Sequence, residues 1–210
     1  MKIEPIILEG EYVRLEPLRI EHLENLCEVG FEEPIWRWTT MQVKTKSDMQ
    51  KYIETALDEQ KCGISLPLAT IEKSSDKIVG STRFGNIDRQ NRHGEIGWTW
   101  INPRWQRTVI NTEAKFLMLR HAFEVWKCIR VELKTDALNE KSRKAILRLG
   151  AKEEGILRQH LITDSGRFRD TVYFSIIDTE WKTVKANLLP KLKNRSVSAN
   201  EKAKAEKIQN

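Results

Sequence analysis

The chain has 210 residues, of which 40% are hydrophobic and 31% charged, and its formal net charge is +6. This length and composition are typical of one globular domain, and no run approaches the roughly 18 consecutive apolar residues of a membrane-spanning helix. The first residues lack the basic start, the apolar stretch and the cleavage site of a signal peptide, so we predict a cytoplasmic protein without a membrane segment.

The first elements are a predicted hairpin and two helices. Residues 7–18 alternate between apolar and polar side chains on either side of a short turn, as two paired strands do. Apolar residues then recur at helical spacing over 20–29 and over 45–63. We expect Ser47 or Asp48 to be the N-cap of the second helix, because both side chains accept hydrogen bonds from backbone N–H groups.

Strands and helices alternate along the rest of the chain. Three strands, separated by polar turns, are predicted at 65–72, 78–87 and 93–102. A helix over 112–126 is expected to bury Ala114, Leu117, Met118, Ala122 and Val125. A strand, a helix and a hairpin follow at 129–135, 139–150, 155–163 and 167–177. The order ββααβββαβαββ requires a mixed sheet with helices on both faces, which is an α/β (α+β) fold.

Most of the net charge lies at the C-terminus, where residues 191–210 contain six Lys or Arg and two Glu. This segment has no aromatic residue and little apolar periodicity, so it cannot offset its ordering entropy by burial. We therefore predict a single domain over 1–190 and a basic, disordered tail over 191–210. Its lysines alternate with glutamates and lack stacking aromatic residues, so we do not expect it to bind nucleic acid.

The cysteines and histidines give no sign of a metal site. Cys27, Cys62 and Cys128 are an odd number, lie far apart and form no CxxC pair, which argues against a disulfide framework and a zinc site. The four histidines show no ligand spacing. We predict that the protein binds no metal.

The segment "PRWQRTVINTEAK" (103–115) leads from a predicted strand through a short turn into a helix. The first backbone N–H groups of a helix have no internal partner and the helix dipole favours negative charge there, so this segment is a candidate anion site. It is not a Walker loop, because GxxxxGK[ST] is absent, and no GxGxxG occurs in the chain.

The stretches "EIGWTWINPRWQRTVINTEAKFLMLRHAF", "LNEKSRKAILRLGAKEEGILRQH" and "RFRDTVYFSIIDTEW" resemble the GNAT acyltransferases, in particular the ribosomal-protein N-terminal acetyltransferase branch. The resemblance covers residues 7–181. It implies a GNAT fold, with a mostly antiparallel central sheet, and acetyl-CoA as the acyl donor. In this family a loop written Q/R-x-x-G-x-G/A holds the pyrophosphate by main-chain amides. Gln106 matches its first position, whereas Val109 and Asn111 stand at the two glycine positions.

A β-branched residue is strained at positive φ, so we predict that Val109 has negative φ and turns its side chain away from the phosphates. Arg107 and Arg104 are candidates for pairing with phosphate, or are solvated surface charges. The resemblance implies that main-chain groups at the end of the preceding strand bind the pantetheine arm. The cofactor-binding residues that it implies are Trp100, Ile101, Asn102, Gln106, Arg107, Thr108, Val109, Ile110, Asn111, Thr112, Asn139 and Ser142.

Acyl transfer from a thioester to an amine needs a deprotonated amine, a polarised carbonyl and a proton for the departing thiolate. By resemblance, Asn139 contacts the cofactor and the Ser142 hydroxyl protonates the leaving sulfur. The alternative is that Asn139 only caps its helix and Ser142 is an ordinary first-turn residue. Glu95 is a candidate base for the amine, or a cross-strand partner of a lysine or arginine.

Three tryptophans are candidates for contact with the acceptor. Trp36 and Trp38 flank the place where this family admits its acceptor, and Trp98 lies on the strand that forms the cleft. Aromatic residues spaced by two also occur as half-buried packing, which is the alternative for the first two. Asp170 matches the family as well and is expected to be the charge partner of an arginine.

We therefore predict an acyl-CoA-dependent N-acyltransferase that moves an acetyl group from acetyl-CoA to a primary amine by direct attack in a ternary complex. The amine is a protein N-terminus or a small amine. One alternative is a ligand-binding or vestigial member of the fold with weakened CoA binding, and another is a nucleic-acid-binding protein that uses the tail. The sequence leaves the oligomeric state open, a homodimer included.

Overall fold

The strands form one eight-stranded sheet in the order β1-β2-β3-β4-β5-β6-β8-β7 in the computed structural model, which describes residues 1–192. The strands are β1 Leu8–Glu9, β2 Val13–Pro17, β3 Leu66–Glu72, β4 Lys77–Asp88, β5 His93–Ile101, β6 Arg130–Asp136, β7 Lys152–Ile162 and β8 Phe168–Ile177. The helices are α1 Leu23–Gly30, α2 Glu33–Trp36, α3 Lys46–Lys61, α4 Ile110–Arg120, α5 Glu140–Leu149 and a helix over 178–192, here α6. What we predicted for 193–210 lies outside the described residues.

Neighbouring strands are antiparallel except for β5 and β6, which run parallel over three residue pairs, the last of them Glu95 opposite Glu132. Beyond that pair the two strands separate, because β5 turns with β4 while β6 continues with β8. The predicted mixed, mostly antiparallel sheet is confirmed. The separation leaves an open edge of β5 in the middle of the sheet.

Two apolar clusters lie on opposite faces of this sheet. One packs α1, α2 and α3 against β3 and β5, with Leu26, Trp36, Ile53 and Trp100 among its buried members. The other includes residues of α4, α5 and α6, with Leu117, Ile146 and Leu188 among its members. The predicted helices on both faces are thus confirmed.

The N-cap of helix α3 lies two or three residues before the predicted one. Thr45 is the N-cap, with extended backbone (φ −129°) and a side chain that accepts a hydrogen bond from Asp48 N at 3.2 Å. Asp48 returns the bond by accepting from Thr45 N at 2.9 Å. The prediction of Ser47 or Asp48 as the cap was therefore wrong, because this capping box places Asp48 inside the helix.

The central helix differs from the prediction at both ends. It begins at Ile110, two residues before the expected start, and after Arg120 it continues as a π-helical turn over His121–Val125. A π turn inserts an extra residue, which rotates the positions that follow. Val125 is consequently 63% exposed, so its predicted burial was wrong.

Helix α6 was not predicted, although its sequence carries the signal. Trp181, Val184, Leu188 and Leu192 recur every three or four residues, and all are buried in the larger cluster. The helix includes residues 191 and 192, which the sequence placed in the tail. Within residues 1–192 no helix is both long and apolar enough to span a membrane.

Candidate active site

The site lies where β5 leaves β6, next to the loop that carries the chain into α4. Asn102 N donates to Val79 O at 3.0 Å, and Pro103–Trp105 then form a 3-10 turn that ends the strand. The Asn102 side chain accepts from Arg104 N at 3.0 Å and donates to Val29 O at 2.8 Å. Asn102 therefore anchors the loop to the end of α1.

The side chain of Gln106 also holds the loop. Its Nε2 donates to Ile101 O at 3.0 Å, so this carbonyl already has a partner within the protein. Asn102 and Gln106 were both predicted to contact the cofactor. In the structure, their side chains form hydrogen bonds with backbone groups and so hold the conformation of the loop. Trp100 is 4% exposed and packs against Trp36 at a ring distance of 5.3 Å, so only its main chain can face a ligand.

Val109 adopts φ −72° and ψ −23° at the start of α4, so the predicted negative φ is confirmed. Its side chain packs against the core, which keeps the isopropyl group away from the helix start. The positive φ of this loop belongs to Arg107 (+63°) instead. Valine is accommodated because the backbone at that position is helical.

The first turn of α4 presents backbone donors. The amides of Asn111 and Thr112 donate no hydrogen bond to any residue of the described part of the chain, whereas Ile110 N donates to Thr108 Oγ1 at 3.3 Å. Ile110 and Thr112 have buried side chains, and the buried Asn111 Oδ1 has no donor among the described residues. A helix start of this kind favours an anion.

Glu113 fixes this helix start to the first hairpin. It is 5% exposed, and its carboxylate accepts from the backbone N–H groups of Glu11, Tyr12 and Val13 at 2.7 to 2.8 Å. A Cβ on Gly10 would come within 2.4 Å of the Glu113 carboxyl carbon, so the turn needs glycine there. We did not predict this contact, because it joins residues about one hundred positions apart in the chain.

Glu95 lies at the base of the cleft and is 7% exposed. Its Oε2 accepts from Asn86 Nδ2 at 2.7 Å and is 2.9 Å from Lys134 Nζ. Burial lowers the pKa of Lys134, but the charge and hydrogen bond of Glu95 more than offset this and the pKa is raised. The ion pair with Lys134 is the cross-strand role that we set against catalysis. The other oxygen of Glu95, Oε1, accepts no hydrogen bond from the described residues. It lies over Gly97, where a Cβ atom would be 2.7 Å away.

Asn139 and Ser142 begin α5 on the other side of the cleft. Asn139 Oδ1 accepts from Ser142 N at 3.1 Å, which is the capping role that we set against cofactor contact. The Asn139 Nδ2 group and the half-buried Ser142 hydroxyl make no hydrogen bond to the described residues. Both groups therefore remain available to a ligand.

The three candidate acceptor tryptophans have different environments. Trp36 is 3% exposed, and its Nε1 donates to Gly30 O at 2.6 Å, so it has the packing role. Trp38 is half-buried, between the guanidinium groups of Arg37 and Arg167 at 5.2 and 5.7 Å from its ring. Trp98 is 41% exposed, with φ +48° at a strand irregularity. Trp38 and Trp98 thus lie at accessible positions.

A cluster of charges that the sequence did not predict forms the wall of the cleft along β6 and β8. Asp136 has no exposed side-chain area, and its carboxylate binds Arg167 and accepts from Leu138 N at 2.9 Å. Arg169 lies beside it, at 3.9 Å from Asp136. Asp170 was expected to pair with an arginine, but its carboxylate accepts from Gln159 N at 2.7 Å and so holds an irregularity of β7.

A buried lysine lies on the opposite face of β5. Lys115 of α4 is 5% exposed, and its Nζ donates to Thr82 Oγ1 at 2.9 Å and to Thr99 Oγ1. Burial lowers the pKa of Lys115 to about 7, and the charge of Glu95 acts in the opposite direction. Within residues 1–192 no carboxylate forms an ion pair with it. No group of three potential metal ligands was found among the same residues.

The amino-acid sequence of this chain is similar to those of known proteins. A family model described as an acetyltransferase (GNAT) domain matches residues 13–152. A Bacillus subtilis (strain 168) protein named "Putative ribosomal N-acetyltransferase YdaF" is 30% identical over 171 residues, which are 80% of this chain and 91% of that protein. The ribosomal protein uS5-alanine N-acetyltransferase of Escherichia coli (strain K12) is 25% identical over 122 residues, 58% of this chain and 62% of that protein.

The fold also matches solved structures. A crystal structure described as a GCN5-related N-acetyltransferase from Brucella melitensis is 34% identical and superposes with a TM-score of 0.84, covering 91% of this chain and 87% of the other. The overall fold is therefore shared with a protein of known family. The chain belongs to the GNAT family and is an N-acetyltransferase.

Proposed function

We propose that the protein transfers an acetyl group from acetyl-CoA to a primary amine, by direct attack of the amine on the thioester in a ternary complex. The observation that carries this proposal is the open edge of β5 beyond Glu95, next to the unbonded amides that begin α4. An extended acyl arm fits along such a strand edge, and a diphosphate fits at a helix start.

The start of α4 is the proposed site for the pyrophosphate. The amides of Asn111 and Thr112 lack partners among the described residues, and Val109 keeps its side chain in the core, so loss of both glycines leaves the donors in place. Arg107 and Arg104 are exposed basic residues of the same loop. Charge pairing with phosphate by these two would add to the amide contacts.

The reaction needs two proton movements, which the two sides of the cleft supply in this proposal. Glu95 Oε1 accepts a proton from the attacking amine, directly or through a water, while Oε2 stays bound to Asn86 and Lys134. The Ser142 hydroxyl donates a proton to the departing thiolate and regains one from water, while Glu95 releases the amine proton to solvent. Asn139 Nδ2 contacts the cofactor. Most of the rate would come from holding both reactants in the cleft.

The acceptor class proposed is a peptide N-terminus, because one relative is named a ribosomal protein uS5-alanine N-acetyltransferase and another a putative ribosomal N-acetyltransferase. Trp38 and Trp98 are the residues proposed to flank it. A cytoplasmic location and a homodimer stay predictions. Removal of residues 193–210 is expected to leave acetyl transfer unchanged, because these residues follow the last described core residue, Leu192. Loss of activity on truncation would give the tail a role that we did not predict.

Calorimetric titration with acetyl-CoA, followed by a thiol-release assay with a panel of peptides and amines, tests the proposal. We expect binding with measurable heat and thiol release that depends on one class of acceptor. Absence of both heat and a thermal shift at millimolar acetyl-CoA would favour the alternative of a vestigial member whose loop no longer holds pyrophosphate.

A further inference from the structure

Arg169 is a largely buried arginine whose guanidinium makes no hydrogen bond to the described residues. Its side chain is 12% exposed and its Nε is fully buried without a partner. The nearest carboxylate oxygen, on Asp136, lies 3.9 Å from Nε, which is too far for a hydrogen bond. The terminal nitrogens of Arg169 are therefore the open donors of this wall.

The other charges of the wall already have partners. Arg167 binds Asp136, and Lys134 binds Glu95 at 2.9 Å. Arg130 pairs with Glu132 and Glu154, and Glu132 is also 3.7 Å from Lys134. Among these basic groups, Arg169 is the one without a carboxylate oxygen within hydrogen-bond distance among the described residues. A largely buried guanidinium without a hydrogen-bond partner is costly, and the cost falls when an oxygen atom accepts from it.

Arg169 also lies in the right place to meet an acceptor. It follows the same face of β8 as Tyr173, which pairs with Lys134 of β6, and Lys134 contacts Glu95. Burial lowers the pKa of Arg169. The negative charges of Asp136 and Glu95 act to raise this pKa, and the positive charge of Arg167 acts to lower it further. The guanidinium remains charged at neutral pH.

We propose that Arg169 binds an oxygen of the acceptor close to the attacking amine, either the first peptide carbonyl or a carboxylate. The acceptor class is then a peptide N-terminus or an amino acid, because each offers an oxygen close to its amine, whereas an alkylamine or a polyamine offers none. The proposal rests on the proposed function, since it concerns the acceptor of the same reaction.

Steady-state kinetics with acetyl-CoA test this with four acceptors: an alanine-initiated peptide amide, free alanine, ethylamine and spermidine. The peptide amide offers a carbonyl and free alanine a carboxylate, whereas the two amines offer no oxygen. In Arg169→Gln we expect the KM of the preferred oxygen-bearing acceptor to rise about 10- to 100-fold, with a smaller change in kcat. The kcat/KM for ethylamine should stay within about twofold, because no hydrogen bond is lost.

Arg169→Lys should give an intermediate KM, because it keeps the charge without the fork of donors. Arg158→Gln, an exposed arginine on β7 of the same hairpin, is the matched control and should behave as the wild type. Thermal melts of each variant show whether the fold is kept.

Three results would overturn the inference while acetyl transfer stands, the first two of them in Arg169→Gln. The first is an unchanged KM for the peptide and alanine, and the second is an equal loss with all four acceptors. The third is a wild-type protein that prefers spermidine. If the wild type binds acetyl-CoA but releases thiol with none of the acceptors, the proposed function fails, and this inference fails with it.

Discussion

A lysine lies near Glu95 on each face of β5, half-buried on the cleft face and buried on the α4 face, and the pKa values of the two lysines are shifted in opposite directions. On the cleft face, Lys134 lies 2.9 Å from the Glu95 carboxylate, and its pKa is raised. On the α4 face, Lys115 has only the hydroxyls of Thr82 and Thr99, and burial lowers its pKa to about 7. Burial alone therefore does not decide the charge of a lysine; the partner does.

The comparison also separates stability from chemistry. The Lys115 face is closed by α4, so its amine meets no solvent or substrate and contributes a cost when charged. The Lys134 face opens into the cleft. Among the described residues, Glu95 Oε1 accepts no hydrogen bond beside the Glu95–Lys134 pair, and Arg169 donates none beside the Asp136–Arg167 pair. The functional groups that we propose all lie on the open face or at the margins of the cleft.

The largest effect is expected for Lys115→Met. A lysine whose pKa falls on folding is neutral in the native state and charged in the unfolded state between pH 7 and its ordinary value of 10.5, so the wild type becomes more stable as pH rises through that window. The change is at most about 5 kcal/mol. The variant should lack this rise and be more stable than the wild type at pH 6, because Thr82 and Thr99 still bond to each other at 2.7 Å.

Denaturant unfolding of both proteins at pH 6 to 10 measures the difference. Turnover of Lys115→Met should stay within about twofold of the wild type, since the lysine does not face the cleft. A variant that is less stable at every pH would mean that the charged amine is stabilised by its hydroxyl partners and that the contrast between the two faces is wrong.

Glu95→Gln is the corresponding change on the open face. The amide oxygen can still accept from Lys134, but it cannot take a proton, so kcat should fall about 100-fold while CoA affinity changes little. Stability should fall by about 1 to 3 kcal/mol, because Lys134 loses a charged partner. Glu132→Gln, on the neighbouring strand, is the control. Unchanged turnover would leave Glu95 with its structural ion pair alone.

Ser142→Ala extends the comparison to the far side of the cleft. We expect turnover to fall about 10-fold or more, because the departing thiolate loses its proton donor, and CoA affinity to fall less. Burst-phase kinetics and calorimetry give the two quantities separately. An equal loss in both would make Ser142 a binding residue instead of a proton donor.

Two substitutions of Val109, one that removes its backbone N–H and one that keeps it, test the proposed pyrophosphate site at the start of α4. Val109→Pro removes the Val109 amide, which donates to no described residue and which the resemblance places in the pyrophosphate loop. The backbone angle, φ −72°, is one that proline adopts, so the variant should fold and bind CoA about 10-fold more weakly. Val109→Gly keeps the donor and should preserve or tighten binding. Calorimetry with CoA decides; marked weakening by glycine would show that the isopropyl group contributes a contact of its own.

Most of the fold followed from local pattern. The eight strands were read from alternation and the end of α5 from Gly150, which has φ +102° as a helix-ending glycine should. The misplaced cap of α3 and the exposed Val125 have local causes that propensity does not resolve: a reciprocal capping box and a π turn. Helix α6 had a clear apolar period, so its omission was a failure to apply the pattern and not a limit of the sequence.

The site was predictable only in part. The resemblance supplied Ser142, Asn139 and the α4 loop, and the chemistry of valine gave the negative φ of Val109. The sequence did not identify Lys134 as the partner of Glu95, and it did not predict that Arg169 lies beside Asp136. These contacts join residues on different strands, and a single sequence does not state which lysine or arginine lies opposite a given carboxylate.

The sequence by itself determined the order of the elements, the acyltransferase family and the backbone conformation at the start of α4, because periodicity, motif and side-chain sterics act over a few residues. Only the tertiary structure decided where charge is exposed, since it sets the distance and the burial of groups far apart in the chain. Lys115 and Lys134 have the same side chain, and the difference between them lies in whether a carboxylate comes within 3 Å when the sheet forms.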